Sequence, residues 1–184
     1  MLLLENNIRV KLNTVAVSDI IEKELFNFIE LTRELPLHVR FIEFMPFPGN
    51  QWQSNKVITS GELVEMIEKK FDLEKLSDEP HSTARSYRIA GFRGTIAFIT
   101  TMSNNFCSEC NRIRLTANGK IKNCLFGKEE TDILTPFRNG DPIEPLIRKL
   151  IIEKHETMGG QFEKGYHQVN PKTIENRNMT HIGG

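Results

Sequence analysis

The sequence is poor in the features that would place it in a membrane or in an oxidising compartment. It has 184 residues with only three cysteines, and its 24 basic and 24 acidic residues give a formal net charge of zero. No apolar run approaches the ~20 residues that span a bilayer, and the opening MLLL lacks the length and basic lead of a signal peptide. Net charge gives no reason to expect nucleic acid or a membrane surface as a partner. We therefore expect a cytoplasmic protein in which clustered cysteines indicate metal binding or catalysis rather than disulfides.

The first fifty residues have the pattern of a β-α-β unit. Residues 8–17, IRVKLNTVAV, are rich in β-branched residues and predict a buried strand. Asp19 is the expected cap of a helix that continues to about residue 34, and residues 37–45 predict a second strand that Pro46 ends. This order implies parallel strands. One such unit cannot bury both faces of its strands alone, so we expect the sequence to begin within a larger fold.

After residue 50 the pattern becomes antiparallel. Thr59 and Glu62 predict a capping box for a helix to about residue 71. The runs RSYRIA and GTIAFITT predict a pair of antiparallel strands, and RIRLT and KIKNCL predict a hairpin that turns at Ala-Asn-Gly. Asp141 is the expected cap of a helix to about residue 155. These patterns predict two domains, residues 1–50 and residues 51–184.

All three cysteines lie in one stretch, FCSECNRIRLTANGKIKNC. Cys107 and Cys110 form a C-x-x-C pair, and the predicted hairpin brings Cys124 towards them. A closed zinc or iron–sulfur site uses four protein ligands, and three thiolates provide one fewer. A four-iron cluster held by three thiolates would therefore keep one iron with an open position for a substrate atom. A zinc site completed by one histidine remains an alternative, as does a simple buried role for Cys124. The histidines available for such a zinc site are His38, His81, His155, His167 and His181.

Two arginines follow the cysteine pair. Strand alternation predicts that Cys110, Arg112 and Arg114 share one face. Two guanidinium groups on that face would form a fork for a phosphate or a carboxylate. The alternative is that both arginines belong to a solvated strand surface.

The cysteine stretch, continued to FCSECNRIRLTANGKIKNCLFG, resembles the signature of the molybdenum cofactor biosynthesis protein A family of GTP 3′,8-cyclases. The stretches VKLNTV, VRFIEFMPFPGNQW and the terminal IGG are similar to the same family. The resemblance covers nearly the whole chain.

This resemblance implies a radical S-adenosylmethionine enzyme of molybdenum cofactor biosynthesis with two four-iron clusters. The chain would hold an α/β remnant of an incomplete TIM-type barrel, followed by an α+β antiparallel C-terminal cluster-binding subdomain. In the family, one cluster cleaves S-adenosylmethionine, the resulting radical takes hydrogen from C3′ of GTP, and that carbon attacks C8 of guanine. The other [4Fe-4S] cluster, with its open iron, anchors the purine. Its ligands here would be Cys107, Cys110 and Cys124.

The resemblance also implies contacts with substrate and cosubstrate. Arg112, Ile113 and Arg114 would contact GTP, and Lys11 would meet its triphosphate. Met45 and Asn13 would contact S-adenosylmethionine, with Arg40 a weaker candidate for the same pocket. Strict alternation places Arg40 and Met45 on opposite strand faces unless a bulge intervenes. The terminal Gly183 and Gly184 are further candidates, since glycine lets a backbone approach a crowded substrate closely.

The C-x-x-x-C-x-x-C loop that carries the S-adenosylmethionine cluster in the family is absent from this sequence. We therefore expect a C-terminal portion with no catalytic residue of its own, inactive without an N-terminal half in cis or in trans. The resemblance also implies the C component of molybdenum cofactor synthesis as a downstream partner, and the exposed strand edge predicts self-association, for example as a homodimer. Two other functions compete with the cyclase. One is a non-catalytic zinc-stapled binding module, and the other is the auxiliary-cluster domain of a peptide-modifying radical enzyme.

Overall fold

The computed structural model describes residues 2–104, 106–162 and 165–182. Within these ranges, the helices and strands in chain order are α1 (Leu2–Glu5), β1 (Val10–Ala16), α2 (Ser18–Glu34), β2 (Leu37–Glu43), α3 (Ser60–Glu68), β3 (Leu73–Lys75), β4 (Ala84–Ile89), β5 (Thr95–Ile99), β6 (Arg114–Leu115), β7 (Lys120–Lys122), β8 (Thr131–Asp132), α4 (Leu134–Asn139) and α5 (Glu144–Ile152). None of these helices is long and apolar enough to cross a bilayer.

The chain divides into two compact units. The first contains Met1–Met45 and Asn55–Phe106, and the second contains Pro46–Ser54 and Cys107–Gly184. These two units have other bounds than the predicted domains 1–50 and 51–184. The segment Asn55–Phe106 belongs to the first unit because its strand β5 pairs with β2. The assignment of one functional domain to each side of residue 50 stays a prediction.

The first unit is a mixed α/β sheet with the strand order β1-β2-β5-β4-β3. β1, β2 and β5 are parallel, whereas β4 pairs antiparallel with both β5 and β3. The predicted β-α-β unit and the predicted antiparallel pair are therefore confirmed. The described strands form an open sheet with β1 at one edge, not a closed barrel.

The core of this unit lies between one sheet face and the helices. α2 buries Ile21, Leu25 and Ile29, which recur every fourth residue and so share one helix face. They belong to the same cluster as Phe41 of β2, whose ring stacks on Phe98 of β5 with centroids 5.7 Å apart. This packing fixes the register of β2, because a shift of one residue would turn its apolar side chains to the other face.

Two local predictions for this unit were wrong and one is confirmed. β1 is not buried, because it is the edge strand and its second face is open. Val15 on that face is 50% exposed. Asp19 lies within the first turn of α2, whose N-cap is Val17 without a side-chain hydrogen bond. The Thr59–Glu62 capping box is present in full at the start of α3.

A buried carboxylate ties the end of β2 to its neighbours. Glu43 is 2% exposed, and its Oε2 accepts hydrogen bonds from the backbone N–H groups of Met102 at 2.7 Å and Ser103 at 2.8 Å. Its Oε1 accepts from the backbone N–H of Ser60 at 3.1 Å and from the Ser103 hydroxyl. The carboxylate thus joins β2 to the first residue of α3 and to the turn after β5.

The second unit holds the antiparallel sheet β6-β7-β8. The hairpin at Ala-Asn-Gly is confirmed, with Gly119 in the left-handed region at φ 75°. The predicted helix to residue 155 is shorter, since α5 ends at Ile152, and its N-cap is Ile143 rather than Asp141. Phe126 is central to this unit's core, with its ring centroid 5.6 Å from that of Phe47 and 5.1 Å from that of Phe162.

Candidate functional site

The three cysteines occupy two neighbouring segments of the second unit. Cys107 begins a single 3-10 turn, Cys107–Glu109, and the backbone N–H of Cys110 donates to the Cys107 carbonyl at 3.1 Å. Cys124 follows β7 by two residues. All three are half-buried free thiols. β6 starts only at Arg114, so the predicted strand alternation from Cys110 through Arg112 to Arg114 was wrong.

Each thiol has N–H donors directed at its sulfur. The Lys154 ammonium lies 3.4 Å from Cys110 Sγ, and the backbone N–H of Met158 lies 3.4 Å from Cys107 Sγ. Burial raises the pKa of the Cys124 thiol, and hydrogen bonds from the backbone N–H groups of Phe126 and Gly127 act in the opposite direction. The negative charge of Cys107 also raises that pKa, and the positive charge of Lys154 lowers it. Cys124 therefore interacts electrostatically with Cys107 and with Lys154, which itself contacts Cys110.

The donor set is compatible with zinc and with an iron–sulfur cluster. Soft thiolates select zinc or iron–sulfur clusters, and N–H donors to the sulfurs are a usual means of tuning a cluster. Among the described residues, no three or more His, Cys, Asp or Glu side chains are grouped so that they could hold one metal ion.

The arginines beside the cysteines have different surroundings. Arg112 is exposed, and its backbone carbonyl accepts a hydrogen bond from Lys154 at 3.1 Å. Ile113 between them is 47% exposed. The Arg114 guanidinium donates through Nη1 to the carbonyl of Ile182 at 2.8 Å, and Ile182 itself is 1% exposed. The chain is therefore anchored at Ile182 beside β6, directly before Gly183 and Gly184, which lie outside the described residues.

The remaining predicted site residues belong to the first unit, and three of them, Lys11, Asn13 and Arg40, share the sheet face opposite the core. Lys11 and Asn13 lie opposite His38 and Arg40 in the parallel register of β1 and β2. Arg40 Nε donates to Asn13 Oδ1 at 2.7 Å, so these two predicted residues are in direct contact. Met45 lies beyond the end of β2, so strand alternation does not decide its direction relative to Arg40.

His38 also lies on this face, although its place in the sequence indicated only a possible zinc ligand. Its Nδ1 lies 2.7 Å from Thr95 Oγ1 of β5. Burial lowers the pKa of His38, and the positive charges of Arg40 and Lys11 lower it further. The sequence could have indicated this position, because His38 and Arg40 are two residues apart in one strand and that spacing places both side chains on the same face. Three bases on one sheet face make a surface suited to an anion.

Comparison with known proteins adds a family. Residues 37–159 match the sequence model of the family described as Molybdenum Cofactor Synthesis C. Mouse "Molybdenum cofactor biosynthesis protein 1" is 42% identical over 178 residues, which is 95% of this chain and 27% of the relative. The Arabidopsis thaliana "GTP 3′,8-cyclase, mitochondrial" is 38% identical over 95% of this chain and 44% of the relative. A "GTP 3′,8-cyclase" from Desulforamulus reducens is 39% identical over 95% of this chain and 53% of the relative. The chain thus spans between about a quarter and about half of the length of these relatives.

Proposed function

This chain belongs to the molybdenum cofactor synthesis C family, and from that premise we propose that it forms the substrate-side part of a GTP 3′,8-cyclase of molybdenum cofactor biosynthesis. The observation that carries the proposal is the cysteine site, where N–H donors reach Cys107 and Cys110 and where Arg114, four residues after Cys110, donates to the Ile182 carbonyl. The molybdenum cofactor role is common to the names of the relatives, and the cyclase reaction is taken from two of them.

In this proposal Cys107, Cys110 and Cys124 hold one [4Fe-4S] cluster. When bound, the cluster supplies an open iron position for a nitrogen or oxygen atom of the purine. The N–H donors from Lys154 and Met158 hold two of the thiols in place and offset the negative charge that thiolates bring to the site.

Arg112, Ile113 and Arg114 contact GTP in this proposal. An arginine offers a planar, always charged group that binds phosphate in a bidentate manner. The Ile182 carbonyl fixes one end of the Arg114 guanidinium, so less side-chain entropy is lost when an anion binds. Gly183 and Gly184, which follow Ile182 in the sequence, remain candidates for contact with GTP in this proposal.

The basic sheet face of the first unit has a second role. Lys11 would neutralise triphosphate charge, while Asn13 and Met45 would contact S-adenosylmethionine and Arg40 would hold Asn13 through its 2.7 Å hydrogen bond. In this view β1 and β2 are the remnant of an incomplete TIM-type barrel, whose inward side is the face that carries Lys11. S-adenosylmethionine cleavage needs a second cluster, for which this chain has no further cysteines. The cyclase reaction would therefore require an N-terminal half in cis or in trans, and the chain alone would be inactive.

Anaerobic reconstitution of the chain with iron and sulfide tests the cluster. We expect about four irons per chain and the absorption of a four-iron cluster. Cys124→Ala should lose it, whereas Ser108→Ala, in the same turn between two of the cysteines, should load normally. A chain that takes up one zinc and no iron under these conditions would favour the zinc-stapled module and overturn the proposal.

Calorimetric titration with GTP tests the substrate. Arg112→Ala should weaken GTP binding by about 1.5–3 kcal/mol, the value of a charge-assisted contact. Arg138→Ala, an exposed arginine of α4, is the matched control and should bind like the wild type. A cluster-loaded chain with no GTP affinity would favour the auxiliary domain of a peptide-modifying enzyme instead.

A further inference from the structure

Lys154 joins the end of α5 to the cysteine loop. It follows the C-cap residue Glu153, and its ammonium reaches back to residues that precede it by more than forty positions. Lys154 Nζ lies 2.7 Å from the Cys110 carbonyl oxygen, 3.1 Å from the Arg112 carbonyl oxygen and 3.4 Å from Cys110 Sγ. One side chain therefore contacts a predicted metal ligand, its backbone, and the backbone of a predicted substrate residue.

These contacts satisfy the whole donor capacity of the side chain. A lysine ammonium has three N–H donors and no acceptor, and here it has three acceptors. The two carbonyl bonds restrain residues 110–112, because both carbonyl oxygens lie within hydrogen-bond distance of one nitrogen. Holding a flexible four-carbon side chain in this way costs rotamer entropy, which the three contacts offset. The third contact places a full positive charge next to the Cys110 sulfur.

The segment that follows Lys154 supplies a second donor to the cysteines. Met158, four residues further along, donates its backbone N–H to Cys107 Sγ while adopting a left-handed backbone at φ 44°. The segment from Lys154 to Met158 thus surrounds the cysteine loop with donors, and Lys154 supplies its charged member.

We propose that Lys154 is a positioning residue for the cysteine site, which holds the loop from Cys107 to Arg112 in ligating shape and sets the reduction potential of the bound cluster. The inference rests on the proposed function in that it requires Cys107, Cys110 and Cys124 to carry a cluster. Net charge and hydrogen bonds to the sulfurs are two of the quantities that set a cluster's potential. A fixed ammonium beside a ligand sulfur stabilises the form with one more electron, and so raises the potential.

The test compares Lys154→Met, Lys154→Arg and the control Lys149→Met. Lys149 is an exposed lysine of α5 that reaches Glu153 at 3.7 Å and no cysteine. The reconstituted chains are titrated with dithionite and followed by electron paramagnetic resonance. At the wild-type midpoint we expect Lys154→Met to lower the ratio of reduced to oxidised cluster by about tenfold, which is about 59 mV for a one-electron couple. Lys154→Arg keeps the charge and should stay close to wild type, as should Lys149→Met.

Amide hydrogen exchange of the metal-free chain provides a readout that needs no cluster. Lys154→Met should speed exchange in residues 107–112 and leave α5 and the first unit unchanged. Faster exchange throughout the chain would show a general folding defect and overturn the inference. A Lys154→Met chain that loads iron and titrates like the wild type would also overturn it. If Lys154→Met binds no iron while Lys154→Arg binds iron like the wild type, the result would support the inference. If the wild type itself loads no iron, the proposed function fails, and unchanged exchange in residues 107–112 would then reject the positioning role as well.

Discussion

Replacing Glu43 by glutamine removes one acceptor oxygen from a buried site in which three backbone N–H groups and one hydroxyl donate to the carboxylate. Oε2 accepts from two backbone N–H groups, and Oε1 accepts from the Ser60 N–H and the Ser103 hydroxyl. A glutamine has nearly the same shape, but one of its two positions becomes an NH₂ group. In the Oε2 position that group would leave two backbone N–H groups without an acceptor. In the Oε1 position it would leave only the Ser60 N–H without one, because the Ser103 hydroxyl can turn and accept from the NH₂ group. The substitution therefore tests the hydrogen bonding without creating a cavity.

The expected cost follows from the one hydrogen bond that is lost in the more favourable orientation. A hydrogen bond to a charged group contributes about 1.5–3 kcal/mol. The expected loss is therefore about 1.5–3 kcal/mol, against about 5–15 kcal/mol for the unfolding free energy of a typical protein. Because the carboxylate joins β2, the start of α3 and the turn after β5, its loss should weaken the first unit as a whole.

Urea denaturation followed by far-ultraviolet circular dichroism measures this loss. The matched control is Glu30→Gln, since the Glu30 side chain is 46% exposed and pairs with Arg33 on the surface of α2. That control should cost less than about 1 kcal/mol, as exposed ion pairs do. A loss of less than about 1 kcal/mol for Glu43→Gln as well would refute the reasoning, because it would mean that the four donors find other acceptors.

Two further predictions concern the same unit. Since burial and then Arg40 and Lys11 lower the pKa of His38, the unfolded chain takes up a proton first as pH falls below about 6.5. The unfolding free energy should therefore decline between about pH 7 and pH 5, and His38→Gln should flatten that decline in denaturation series at stepped pH. Gly94→Ala should destabilise by about 3 kcal/mol, since its Cβ would lie 2.3 Å from the backbone oxygen of Leu37. Gly61→Ala, an α3 position with only an ordinary contact at 3.9 Å, should instead stabilise slightly in thermal melts.

The local elements of the fold could be predicted because their signals are short in range. The capping box at Thr59 needs only four residues, and the hairpin turn at Gly119 needs three. The position of β5 could not be predicted in this way. It pairs parallel with β2, so Thr95 lies beside His38 although 57 residues separate them. Periodicity identifies such a strand but not its neighbour, so the sequence alone did not show that β5 joins the sheet of β1 and β2.

The cysteine site shows the same division between local and distant information. The spacing of Cys107, Cys110 and Cys124 was evident in the sequence, whereas the donors to two of the sulfurs come from 44 and 51 residues further along. The face shared by Cys110 and the arginines was predicted from strand alternation, and that failed because residues 110–113 form no strand. The conformation of residues 110–113 follows no periodic pattern that a sequence could reveal. It depends on hydrogen bonds from Lys154, whose position is set by the end of α5 at Ile152.

The contact between Arg114 and Ile182 bears on how Arg114 would bind an anion. The hydrogen bond to the Ile182 carbonyl is compatible with a bidentate anion contact, because a guanidinium carries five N–H donors in one plane. Since Ile182 is buried, its carbonyl restrains the position of the Arg114 group. The Arg112 side chain is exposed, and its backbone carbonyl accepts a hydrogen bond from Lys154. In the proposed site, Arg114 would thus present a preorganised donor to the phosphate. Preorganised contacts cost less on binding, so the restraint at Ile182 would favour affinity for the anion.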